Sequence, residues 1–194
     1  MRGNDSKQLY RLFLGIPIPL YIREELIRFI NSYSNYPQIS WIRKVDNFHI
    51  TLHFLGDTSE LKLSQLITSL SSVKFDSFNI AIEDIGCFPN WNNPKVIWTG
   101  VKGDTYAIDR IYKELSNTIR PLGFREDKKR FHPHVTIARV KNYCDTSLIS
   151  ALQKESKKKF SNSFLVDKVN LYESILDCSG SIYNVRHYIN LDVQ

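Results

Sequence analysis

Five histidines occur in the 194-residue chain, and four of them sit in two short stretches of the same design. The first reads Phe48-His49-Ile50-Thr51-Leu52-His53-Phe54-Leu55-Gly56, and the second Phe131-His132-Pro133-His134-Val135-Thr136-Ile137-Ala138-Arg139. Each contains His-x-Thr followed by an aliphatic residue. Alternate side chains of a strand leave the same face, so His49 and Thr51 project together, as do His134 and Thr136. Ile50, Leu52, Val135 and Ile137 then face an apolar layer. One such triplet arises by chance; two copies in matching strand contexts argue for a shared task.

In-line displacement at phosphorus supplies such a task. It needs a base on the attacking oxygen and an acid on the departing one, on opposite sides of the phosphorus. An imidazole pKa near ~6.5 lets one ring be neutral while the other is charged. Thr51 and Thr136 would donate hydroxyl hydrogens to the non-bridging oxygens. Four side chains would carry the reaction without metal or cofactor.

A metal site is the competing reading. Along a strand, His49 and His53 stand about 13 Å apart at ~3.3 Å per residue, too far to share an ion through bonds of ~2 Å. His132 and His134 have the spacing of a chelating pair, so a metal hydrolase built on them stays an alternative, although neither stretch carries a carboxylate. No residue is assigned as a metal ligand.

The stretches need strands to hold them and helices to back those strands. Strand-forming residues that run up to Pro17 and Pro19 predict a strand at 10–18 leading into a helix start, and apolar spacing predicts a helix at 20–33. A short strand at 39–43 and a turn at 46–47 lead into the first stretch. Residues 57–60 read as a capping loop before a helix that presents Leu61, Leu63, Leu66, Ile67 and Leu70. Strands follow at 75–88 and 95–101, Gly103 and Asp104 cap a helix at 105–119, and a charged loop at 125–130 enters the second stretch. A helix at 145–157 and a hairpin of 164–176 with 181–191 complete the chain. This order predicts an α+β, bilobal protein: two mostly antiparallel sheets lining a central cleft, helices packed outside and pseudo-twofold lobes. No linker divides it, so residues 1–194 are read as a single domain.

With 42% hydrophobic residues the chain has enough apolar material for a real core, and a formal charge of +6 suits a polyanionic partner. Cys87, Cys144 and Cys178 lack disulfide or zinc-knuckle spacing. No apolar run approaches the ~20 residues of a membrane span. A cytoplasmic protein is expected, with no membrane partner, as a monomer.

The paired stretches resemble the two motifs of the two-histidine phosphoesterase superfamily, in its LigT-like RNA 2',3'-cyclic phosphodiesterase branch, also called the 2'-5' RNA ligase family. The likeness extends to Arg11-Leu12-Phe13, Phe88, Pro94 through Gly100, Leu171 through Ser174, Gly180 and Tyr183. It implies metal-independent opening of a 2',3'-cyclic phosphate on RNA to a 2'-phosphomonoester, with reverse 2'-5' ligation in some relatives. His49 would protonate the leaving 3'-oxygen and His134 would activate water, though the two roles are interchangeable on sequence alone. Thr51 and Thr136 would hold the phosphate. Phe54 and Arg139, each the fifth residue after its histidine, would touch the terminal base or phosphate, and Arg11 and Phe13 would border the cleft. Strict alternation turns Phe54 and Arg139 away from the cleft, so a bulge or strand end is required. His53, His132 and His187 are given no role. A non-catalytic module that binds RNA ends is the reading from another class.

Overall fold

The computed structural model describes residues 8–33, 35–125, 130–141, 143–178 and 180–193. The first strand, β1 (Leu9–Pro17), is buried on both faces from Leu12 through Ile16. Its nearly unbroken apolar run fits a position inside a sheet with both faces covered. Pro19 precedes α1 (Leu20–Asn31), which buries Ile22, Leu26, Phe29 and Ile30 along one stripe.

The next strands are β2 (Ile39–Trp41), β3 (His49–Ser59), β4 (Phe78–Phe88), β5 (Val96–Gly103) and β6 (His134–Val140). Then come β7 (Phe164–Val166), β8 (Lys168–Asp177) and β9 (Gly180–Asn190). They form one curled sheet in the order β7-β4-β5-β6-β3-β1-β8-β9, with β2 paired to β6 and neighbouring strands antiparallel. The helices α2 (Glu60–Ser71), α3 (Thr105–Ile119) and α4 (Thr146–Lys154) complete the fold. The side chain of Asp104 accepts from the Ala107 amide, and that of Asp145 from the Ser147 amide, satisfying donors that the first turns of α3 and α4 leave unpaired.

The sheet divides at its middle. β1, β3, β8 and β9 make one half and β2, β4, β5, β6 and β7 the other, and β3 meets β6 through a single residue pair, Ile50 with Val135. Each is the middle residue of a His-x-Thr, and both are fully buried. The two expected sheets are thus joined at the one point that sets both motifs side by side.

Three local expectations change. Residues 57–59, read as a capping loop, continue β3, because Asp57, Thr58 and Ser59 pair with Arg11, Tyr10 and Leu9. The single strand expected at 164–176 is two: β7 pairs with β4 and β8 with β1, so the chain changes halves at Asp167. α4 ends at Lys154, short of the basic run at 157–159. Most of the charged loop expected at 125–130, and position 179 of the last turn, lie outside the described residues. No helix among the described residues is long and apolar enough to cross a membrane.

Candidate active site

The burial of the two motif strands repeats residue for residue. His49 through Phe54 runs half-buried, buried, half-buried, buried, buried, exposed, and His134 through Arg139 does the same. Two consecutive buried residues break the alternation in each. On β3 the pairing with β1 slips between His53 and Thr51, leaving Leu52 as the extra residue; on β6 the pairing with β5 slips between Ala138 and Thr136, leaving Ile137. These are β-bulges. They return Phe54 and Arg139 to the face that carries the histidines and threonines, as the sequence requires if the fifth residue is to reach the cleft.

Both imidazoles are tied down in one way. His49 Nδ1 lies 2.9 Å from the Asn47 carbonyl oxygen and His134 Nδ1 lies 2.7 Å from that of His132. A carbonyl only accepts, so each Nδ1 carries the hydrogen and each Nε2 is the nitrogen left for a ligand. The rings differ in their walls. Phe13, Tyr183 and Tyr172 surround His49 with centroids at 4.7, 5.2 and 5.8 Å. Phe88 and Trp98 stand 5.0 and 6.1 Å from His134. Burial pushes the His49 pKa down to about 4, its hydrogen bond to Asn47 opposes this, and the charges of His134 and Arg139 add to it. Burial also lowers His134, the carbonyl bond from His132 opposes, and His132 and Arg139 contribute further lowering.

Two glycines make these walls possible. A Cβ on Gly15 would stand 2.9 Å from the Ile50 carbonyl oxygen and 3.4 Å from His49 Cδ2. A Cβ on Gly86 would meet the Trp98 ring at 2.2 Å, so the indole that backs His134 lies flat on bare backbone.

Between the motifs lies a groove of ≈470 Å³. His49, Thr51, His134 and Thr136 line it with Phe54, Arg139, Arg11 and Phe13, so all eight residues singled out in the sequence meet there. They present themselves differently. Phe54 is 67% exposed, whereas Phe13 is 3% exposed and packs on His49, Tyr172 and Tyr183. One residue either side of the Ile50–Val135 pair, antiparallel register sets Thr51 opposite His134 and His49 opposite Thr136. Each imidazole therefore has hydroxyls beside it from both motifs.

Residues 24–177 match the 2'-5' RNA ligase superfamily. The chain belongs to that family. An RNA 2',3'-cyclic phosphodiesterase of Archaeoglobus fulgidus is 35% identical over 175 residues, spanning 89% of this chain and 96% of the relative. One from Aeropyrum pernix is 35% identical over 144 residues, covering 74% of this chain and 82% of the relative. In fold the chain is similar to E. coli LigT complexed with 3'-AMP, with a TM-score of 0.78 at 22% identity over 95% of this chain and 99% of that one.

Within this 2'-5' RNA ligase superfamily fold, the remaining histidines lie outside the groove between the motifs, His132 beside His134 with ring centroids 6.3 Å apart. His53, buried, places Nε2 2.9 Å from the Tyr112 carbonyl oxygen and 3.4 Å from Ser116 Oγ. His187 lies beside Ser71, and the exposed His132 packs against Trp98 at 4.9 Å. Among the described residues no three His, Cys, Asp or Glu side chains gather as a metal ligand set. Sequence reasoning did not assign Tyr172, Tyr183, Phe88, Trp98, Gly15 or Gly86 to the site. Four of them appear in the stretches that carry the family likeness, but only tertiary packing shows which ring each one touches.

Proposed function

We propose that the protein is an RNA 2',3'-cyclic phosphodiesterase that opens a 2',3'-cyclic phosphate at an RNA end to a 2'-phosphomonoester by paired histidine catalysis. The observation that carries this reading is the duplicated imidazole: two rings with Nδ1 held by a backbone carbonyl, Nε2 available, and a threonine beside each in one groove. With phosphorus between them, His134 Nε2 takes a proton from water as its oxygen bonds to phosphorus. His49 Nε2 protonates the 3'-oxygen as the P–O3' bond breaks. Thr51 and Thr136 donate to the non-bridging oxygens, where charge develops. No electrons change hands, and no metal or cofactor is needed.

The terminal nucleoside packs against Phe54, with Arg139 and Arg11, both exposed, supplying positive charge to base or phosphate. Phe13 acts through His49, whose ring it holds. His49 as acid must be charged when the substrate is bound, and an anionic phosphate between the rings raises the proton affinity of both. Each half of the sheet contributes one His-x-Thr, which supports residues 1–194 working as one bilobal unit and as a monomer. Free thiols at Cys87, Cys144 and Cys178 fit a reducing compartment such as the cytoplasm.

Incubating the protein, in EDTA, with RNA that ends in a 2',3'-cyclic phosphate tests the reading. The expected product is the 2'-phosphate. A 3'-phosphate product, or turnover that stops on chelation and returns with added metal, would overturn it.

A further inference from the structure

Continuous with the groove is a larger cavity of ≈870 Å³. The two share Thr51, Phe54, Phe88, Val96 and His134, but His49, Thr136 and Arg139 line the groove alone. The cavity thus opens from the end of the site where Thr51 stands opposite His134. Its far wall is a column of flat rings: His53 stacks on Tyr112 at 4.3 Å and 13°, and Tyr112 on Phe131 at 4.2 Å and 9°. Among the described residues Phe131 ends the column, held flat by the ring beneath it. Lys95, Arg125 and Arg130 are exposed at the walls, and the described lining residues include no carboxylate.

Apolar ring surface with cations beside it suits a nucleotide: any base offers a π-face for stacking, and the cations meet its phosphate. A terminal nucleotide held between Phe54 and Arg139 draws on the groove, because Arg139 does not line the cavity. Resting on the function proposed above, we propose that the cavity is a second nucleotide subsite, taking a base on Phe131 and a phosphate at Lys95, Arg125 and Arg130. Two RNA sources share that chemistry. One is the penultimate nucleotide of the substrate strand. The other is the 5'-hydroxyl end of a second strand, which lies on the His134 side: its 5'-oxygen bonds to phosphorus as P–O3' breaks, its proton passes to His134, and the 3'-oxygen takes one from His49. That exchange leaves a 2'-5' linkage and a free 3'-hydroxyl.

The test compares three probes: adenosine 2',3'-cyclic phosphate, the adenosine dinucleotide ending in a cyclic phosphate, and a 5'-hydroxyl dinucleotide added to either. It compares wild type with Phe131→Leu and with the exposed-charge variant Arg125→Gln/Arg130→Gln, which keeps the column intact. If the subsite takes the same strand, kcat/KM favours the dinucleotide, Phe131→Leu cuts that ratio by about 5- to 150-fold, the range of one base stack, and the charge variant lowers it through the lost phosphate contacts. If it takes a second strand, the ratio stays near one, and 2'-5'-joined product forms with wild type and falls in both variants. A ratio near one with no joined product, or either signal unchanged in both variants, overturns the subsite while mononucleotide hydrolysis stands. Absence of hydrolysis of both cyclic substrates overturns the underlying reading instead.

Discussion

β3 and β6 carry the same device in two different settings. The burial sequence, the bulge after the threonine and the carbonyl bond to Nδ1 repeat, so the backbone directs each Nε2 in the same way. The walls do not repeat. His49 sits among Phe13, Tyr172 and Tyr183, which come from β1, β8 and β9, while His134 leans on Phe88 and Trp98 of β4 and β5 beside the exposed His132. Both rings lose proton affinity to burial. Geometry is thus duplicated, while the proton affinity of each ring is lowered first by its own burial and then by charges that, for His49, come from across the groove.

If the halves form one catalytic unit, losing either imidazole disables it. His49→Ala and His134→Ala are each expected to lower kcat/KM for a cyclic-phosphate dinucleotide by about 10²- to 10⁴-fold. The double variant should be little worse than either single one, because residues acting as a unit do not contribute additively. Multiplied losses would mean two independent sites. One rank smaller, Thr51→Val and Thr136→Val should each cost about 10²- to 10³-fold in kcat, the usual effect of removing one oxyanion donor. Matched losses support the symmetry; a loss confined to one threonine would break it.

The glycines probe the settings rather than the device. Gly15→Ala forces a backbone neighbour, the Ile50 carbonyl, to shift within β3, and a displacement of ~1 Å at the reacting group costs up to about 10²-fold in rate. Gly86→Ala meets a side chain instead, so Trp98 moves and His134 loses part of its wall. A pH profile of this variant should show the alkaline limb of the pair moving upward as the His134 ring gains water. The smallest effect is on stability. His53→Leu leaves the Tyr112 carbonyl without that partner and should cost about 1–3 kcal/mol in chemical denaturation.

Much of this site was legible because it depends on local spacing. Period-two alternation put His and Thr on one face, and the fifth residue's parity demanded the bulges that appear at Leu52 and Ile137. What escaped the sequence reading depends on partners distant along the chain. Residues 57–59 carry turn-forming types, yet β1 lies beside them and extends the strand. The change of halves at Asp167 has no periodic signature because both flanking segments are strands. Phe13 was readable as a cleft residue, but its burial under His49 required Tyr172 and Tyr183 from the opposite end of the chain.

The pH dependence of kcat/KM tests the paired imidazoles most directly. Catalysis needs the pair singly protonated, whichever ring holds the proton, and the limbs belong to the pair in the free protein. With His49 at about 4 and His134 also lowered from 6.5, that form is most populated between the two, falling at lower pH by a second protonation and at higher pH by loss of the first. The account predicts a bell with its maximum below pH 6.5, and a kcat profile displaced upward because bound phosphate raises both rings. A kcat/KM that is flat from pH 4 to 9, or that climbs steadily through neutrality, would contradict it.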